Sequence, residues 1–126
     1  MEMAEVNEMD WFAEKLGVEQ VKASFDQAIC KVIVGADHRN VLGGVHGGLI
    51  FSLADMAFAA ACNAGEGTYI GLQADIRYMG AARDEVLTAT ALRVGGSKKF
   101  AHYEVMVTDG QDNRVALFTS TAYRLS

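Results

Sequence analysis

The sequence predicts an α+β domain in which one long helix packs across an antiparallel sheet. A single apolar run, Leu49 to Cys62, broken only by Ser52 and Asp55, has the length and composition of a buried helix. Four alternating or β-branched runs follow it, separated by turns rich in glycine, aspartate and asparagine that suit hairpins. Strands joined in this way leave one apolar face, and the long helix must cover it.

Taken in order, the chain begins with an acidic segment, Met1 to Asp10, and a short amphipathic helix over about residues 8–16. Trp11, Phe12 and Leu16 share one side of it, Glu14 and Lys15 turn elsewhere, and Gly17 closes it. From Val18 to Val34 the alternation of Val21, Ala23 and Phe25, then Ala28, Cys30, Val32 and Val34, predicts a hairpin turning at Asp26-Gln27. The central helix is expected over about 47–63. Strands are expected at Thr68 to Met79, Val86 to Val94, Phe100 to Thr108 and Arg114 to Leu125. Their turns fall at Gly80 to Asp84, at Gly95-Gly96-Ser97 and at Asp109-Gly110 with Gln111-Asp112-Asn113. No repeat, low-complexity tract or linker divides the chain, so residues 1–126 are read as one domain.

Composition narrows the function. With 11 Lys and Arg against 16 Asp and Glu the formal charge is −5, which argues against a nucleic-acid or anionic-membrane surface. The N-terminal segment has four acidic residues and no Lys or Arg, unlike a secretory leader, and a cytoplasmic protein is expected. The apolar run is shorter than the roughly 20 residues a bilayer-spanning helix needs. Cys30 and Cys62 read as small core hydrophobes. No His-x₃-His or Cys-x₂-Cys pair suggests a metal, and no G-x-S-x-G suggests a serine nucleophile. The 51% hydrophobic content is slightly high for a domain this small, which points to apolar surface facing another subunit.

Two features carry chemistry. Gly43-Gly44-Val45-His46-Gly47-Gly48 leads straight into the central helix. Gly47 and Gly48 have no Cβ to hold a ligand off the backbone, and the first N–H groups of a helix lack intrahelical partners, so they suit an anion or a developing oxyanion. The alternative is that the glycines only let the helix approach the sheet. The run lacks the ending of a Walker loop and the spacing of a dinucleotide fingerprint. The second feature is a stripe, Gly48, Ser52, Asp55, Ala59 and Asn63, at spacings of four, three, four and four along the helix. Asp55 is the helix's only charge, and a carboxylate among apolar residues is costly unless hydrogen-bonded or paired. It either makes a structural hydrogen bond or is a carboxylate with a raised pKa that acts as base or nucleophile.

The stretch Asn40-Val41-Leu42-Gly43-Gly44-Val45-His46-Gly47-Gly48, followed by Leu53-Ala54-Asp55, resembles the signature of hotdog-fold acyl-CoA thioesterases of the phenylacetic-acid-degradation type. The segments Asp75-Ile76-Arg77-Tyr78-Met79, Gly95-Gly96-Ser97-Lys98-Lys99 and Val115-Ala116-Leu117-Phe118-Thr119 extend the likeness over nearly the whole chain. The resemblance implies a curved antiparallel sheet wrapped around the central helix and an active site between two subunits that share one continuous sheet. It implies a homodimer to complete the site, with a tetramer built as a dimer of dimers. Asp55 would be general base or nucleophile. The N–H of Gly47 from the partner subunit would polarise the thioester carbonyl, Asn40 would hold the water or the substrate, and His46 would position the loop. Gly48, Ser52, Phe58 and Gly71 would meet the substrate. No cofactor is implied, CoA being part of substrate and product. Two departures stand out: Gly71 replaces the Ser or Thr of some relatives, and Gly80 the usual proline.

CoA phosphates require basic side chains, and Arg77, Arg83, Arg93, Lys98 and Lys99 are candidates, with Lys98 and Lys99 favoured at a hairpin on the sheet rim. Tyr69, Tyr78 and Phe58 are aromatic candidates for an acyl pocket. The alternatives are a hydratase-dehydratase of the same fold, which would need His46 as an acid-base group, and a non-enzymatic acyl-CoA binding module with a structural Asp55.

Overall fold

The computed structural model describes residues 10–126. The first helix, α1, runs Trp11–Leu16, capped by the Asp10 carboxylate on Ala13 N–H at 3.0 Å and closed by Gly17 at φ +80°. The start expected for it near residue 8 lies outside the described residues. Then come β1 (Glu19–Ala23), β2 (Gln27–Ile33), the long helix α2 (Gly47–Cys62), β3 (Tyr69–Tyr78), β4 (Val86–Gly96), β5 (Phe100–Asp109) and β6 (Arg114–Arg124). The strands form one antiparallel sheet in the order β1-β2-β4-β5-β6-β3. Among the described residues no helix is long and apolar enough to cross a membrane.

The helix shapes the sheet. Helix α2 touches all six strands. Six strands about 4.8 Å apart span roughly 24 Å, about twice a helix diameter, so the sheet must curl around α2 to reach it from both edges. The helix contributes Leu49, Ile50, Leu53, Ala54, Met56, Ala57, Phe58, Ala61 and Cys62 to the core. Inward residues of alternating period answer it: Leu87, Ala89 and Ala91 on β4, Tyr103, Val105 and Val107 on β5, and Phe118 and Ala122 on β6. Many of these are alanine, which lets backbone approach backbone. Gly48, Asp55, Ala59 and Asn63 remain exposed, and Ser52 is half-buried along with the flanking Gly47, Phe51 and Ala60, so the fully exposed helix residues all lie on the stripe. Asn63 ends the helix and ties it to β3 through Tyr69, accepting from its N–H at 2.8 Å and donating to its carbonyl at 3.2 Å.

Two turns differ from expectation. The β1–β2 turn is Phe25-Asp26, one residue early, because the Phe25 ring packs 5.6 Å from Tyr69 and 6.2 Å from Tyr103. Gly95 and Gly96 belong to β4, and Ser97, Lys98 and Lys99 make the turn to β5. A Cβ on Gly96 would lie 2.6 Å from the Phe100 carbonyl oxygen, so the glycine there serves close strand approach. The β5–β6 turn is built on Asp109, which is 3% exposed. It accepts from Arg83 N–H at 2.8 Å, Gln111 N–H at 2.9 Å, and both Asn113 N–H and Nδ2 at 3.0 Å.

Burial pushes the Asp109 carboxyl up, but its four donors outweigh that and bring it from the ordinary 3.8 down to about 2. A depressed folded-state value stabilises the fold above the unfolded pKa, and that contribution is lost as pH falls from about 4 towards 2. Asp109→Asn is therefore expected to lower the Tm at neutral pH and to flatten its decline between pH 4 and 2, as measured by thermal melts across that range.

Candidate active site

The loop before α2 is organised by one side chain. Asn40 Oδ1 accepts from Leu42 N–H at 3.0 Å and Gly44 N–H at 3.1 Å, while the Asn40 N–H donates to the Gly44 carbonyl at 2.8 Å. Gly43, at φ +85°, completes the turn in a conformation that glycine adopts without strain. The Asn40 oxygen is therefore committed to the loop, and its Nδ2 is left to donate outward.

At the helix start the two glycines differ. His46 is the N-cap, and its Nδ1 accepts from Gly48 N–H at 2.8 Å. Gly47 N–H has no acceptor among the described hydrogen bonds. So the free backbone donor is Gly47, whereas the Gly48 N–H is used internally. With Nδ1 accepting from Gly48 N–H, Nε2 is the ring nitrogen left to donate, an arrangement that suits positioning of the loop. Neither glycine has a positive φ, and only at Gly48 is space the reason for glycine. A Cβ on Gly48 would sit 2.9 Å from His46 Nδ1, and one on Gly47 would meet the Tyr78 ring at 3.4 Å.

These groups open onto a groove of about 620 Å³ lined by Arg39, Asn40, Gly47, Gly48, Tyr78 and Ala81, among others. Arg39, which sequence reasoning passed over, is the basic side chain there, held by an Nη1 bond to the Gly43 carbonyl at 3.1 Å. Its only sequence signal is adjacency to Asn40. Tyr78 also lines the groove and donates its hydroxyl to the Gly47 carbonyl at 3.1 Å.

Asp55 lies on the exposed stripe, eight residues and about 12 Å along α2 from Gly47, and within one protomer the two do not meet. Its exposed carboxylate accepts no hydrogen bond among the described residues. Partial desolvation raises its pKa above the ordinary carboxylate value, and the negative charge of Asp10 adds to the shift.

Other expected residues fall elsewhere. Phe58 is 2% exposed, its ring packed 5.6 Å from Tyr103 and 6.2 Å from Phe118, so it is core and offers no surface to a substrate in this protomer. Tyr69 is likewise buried. Gly71 lies over Phe58, where a Cβ would come 3.2 Å from that ring. Ser52 lines a smaller cavity of about 250 Å³ with Phe12, His38 and His46. Arg93 is paired with Asp26 at 3.0 Å and stacked over Phe25. Lys98 and Lys99 sit on the β4–β5 turn beside the C-terminal end of β6, whereas Gly47 lies by Tyr78, which pairs near its start. With β6 eleven residues long, that separation is about 30 Å within a protomer.

Comparison with known proteins bears on the family and the fold. The family model described as Thioesterase superfamily matches residues 42–116, the stretch from the glycine loop into β6. The chain is 33% identical over 120 residues to the acyl-coenzyme A thioesterase PaaI of Escherichia coli, covering 94% of this chain and 85% of that protein. A relative in Archaeoglobus fulgidus named as an esterase is 37% identical over 97 residues, a match that spans 76% of this chain and 63% of that longer protein. The structure of the E. coli PaaI protein superposes with a TM-score of 0.88 at 30% identity, covering 94% of this chain and 87% of that one. A structure from Thermus thermophilus gives a TM-score of 0.87 at 36% identity, covering 93% and 99%. The chain belongs to the thioesterase superfamily and has its hotdog fold.

Proposed function

We propose that the chain hydrolyses acyl-CoA thioesters to a carboxylic acid and CoA at a site shared between two copies. The observation that carries this reading is the division of reactive groups on α2: a free N–H donor at Gly47 and an uncommitted carboxylate with a raised pKa at Asp55. In an antiparallel crossing of two α2 helices centred near Phe51, midway between residues 47 and 55, Gly47 of one protomer faces Asp55 of its partner. The edge strand β3 supports such a pairing. Nearly all of it is exposed, including Ile70, Leu72 and Tyr78, and one side of its backbone is unpaired. A tetramer formed as a dimer of such dimers is part of the same proposal.

In this site the thioester carbonyl accepts from Gly47 N–H, with Asn40 Nδ2 donating to the carbonyl or to the attacking water. Asp55, ionised, takes the proton of a water whose oxygen bonds to the carbonyl carbon, or attacks that carbon itself. On the first route collapse of the tetrahedral intermediate breaks the C–S bond and releases the acid, and the leaving thiolate recovers the proton from Asp55 as free CoA; on the second, collapse expels the thiolate and leaves a mixed anhydride on Asp55, which water hydrolyses to the acid and the restored carboxylate, its proton passing to the thiolate. No cofactor enters these steps. Arg39 is the basic side chain lining the same groove as the donors, and an antiparallel partner brings its own Lys98 and Lys99 towards the Gly47 end. A cytoplasmic location fits the two buried free thiols, Cys30 and Cys62.

Thiol release over a panel of aryl-acetyl, aryl and short or medium acyl-CoAs tests the activity. Asp55→Asn is expected to lower kcat about 10²- to 10⁴-fold on the best substrate while leaving the Tm unchanged or higher, since the fold disfavours this ionised carboxylate; a fall in Tm with activity retained would return Asp55 to a structural role. The active form is ionised and its pKa is raised, so kcat/KM should fall on the acid side above the ordinary carboxylate range, and Asp10→Asn should move that limb to lower pH.

Gly47→Pro removes the free N–H at the first helical position, where proline is tolerated, and His46 at φ −64° and ψ 132° already has the backbone a proline requires before it. It should cost about 10²- to 10³-fold in kcat at unchanged helix content by circular dichroism, whereas Gly47→Ala, which keeps the N–H, should lose far less. Mixing the two inactive proteins tests the shared site. A dimer of one Gly47→Pro and one Asp55→Asn protomer has one intact site, so an equal mixture after subunit exchange should recover about a quarter of wild-type activity, and no recovery after verified exchange would place both groups in one protomer's site.

A further inference from the structure

We infer that Tyr78 is a positioning residue for the Gly47 donor, a role that rests on the reading of Gly47 N–H as the group that polarises the thioester carbonyl. Two consecutive peptide units decide where that N–H points. The unit joining His46 to Gly47 has its carbonyl held by Leu49 N–H at 3.0 Å and Ile50 N–H at 3.4 Å, and its N–H is the free donor. The unit joining Gly47 to Gly48 is gripped at both ends: the Tyr78 hydroxyl donates to its carbonyl at 3.1 Å, and its N–H donates to His46 Nδ1 at 2.8 Å.

A helix that begins with two glycines has the widest backbone freedom where its direction matters most. The Tyr78 ring stands 3.4 Å from the point a Cβ on Gly47 would occupy, an ordinary contact distance, so the ring lies against this side of the helix start. Glycine keeps the backbone open to a ligand, and the tyrosine returns the stiffness that glycine removes. Tyr78 is the last residue of β3 and 31 residues from Gly47, so the edge strand sets the aim of the helix start. Its hydroxyl is on a half-exposed side chain and water would satisfy it equally well, so the bond to Gly47 is not demanded by burial.

Tyr78→Phe keeps the ring and deletes the hydroxyl. With the donor misdirected but present, kcat is expected to fall about tenfold, less than the loss of the donor itself, with KM within about twofold. The direct readout is the infrared carbonyl band of an isotope-labelled acyl-CoA bound to Asp55→Asn protein. Hydrogen bonding from Gly47 shifts that band below its value in the free thioester, and adding Tyr78→Phe should move it part of the way back, with Gly47→Pro moving it at least as far. If Gly47→Pro moves the band and Tyr78→Phe does not, the tyrosine is only a groove wall and this inference fails alone. If neither moves it, the inference fails together with the role given to Gly47. A drop in kcat accompanied by a lower dimer fraction and an unmoved band also overturns it, as a purely structural effect.

Discussion

Burial of α2 is the constraint on which the rest of the molecule depends. An apolar helix of sixteen residues has to be covered on most of its circumference, and six strands accomplish this only by curling around it. The alanines at the contact set how closely they can curl. The crossover from β2 through α2 to β3 sends the next strand to the far edge, so β3 and β4 are not neighbours and, among the described residues, β3 is left with one open side. The uncovered strip of helix and the open strand edge both follow from wrapping one helix with one sheet.

That geometry also decides how chemistry is distributed. The first turn of a helix is where backbone N–H groups are free, and a carboxylate further along is where desolvation, rather than the helix dipole, controls ionisation. Gly47 and Asp55 occupy these two places on one element, each with its reactive atoms uncommitted. Neighbouring polar groups are spent on architecture: Asn40 Oδ1 on the loop, His46 Nδ1 on the cap, Asn63 on the join to β3. What is left unspent distinguishes groups that the signature residues alone do not, since it separates Gly47 from Gly48 and one end of the Asn40 amide from the other.

Much of this was legible in the chain. The stripe along α2 follows from helical period alone, and its members are the residues the structure leaves uncovered. The four later strands announce themselves by alternation between strong turns. The misplacements have local causes: Gly95-Gly96 has turn composition but serves close approach of strands, and Phe25 shifts its turn because an aromatic cluster 44 and 78 residues away draws it in. Phe58 is in the sequence an aromatic candidate for an acyl pocket, though aromatic residues of buried helices are more often core, and packing against β5 and β6 makes it core. Arg39 and the Tyr78 hydroxyl act through loop and strand-end geometry, which no periodicity encodes.

The open edge of β3 has a consequence for the newly made chain. A ten-residue strand with exposed Ile70 and Leu72 and a free row of backbone donors and acceptors is a template for indiscriminate pairing until a proper neighbour covers it. Its defences are modest: a bulge between Gly71 and Gln73 that interrupts the register, and the opposite charges of Asp75 and Arg77 on an otherwise inviting ribbon. An exposed edge of this kind favours aggregation, and the charged pair on β3 is as much a safeguard of solubility as any residue on the surface.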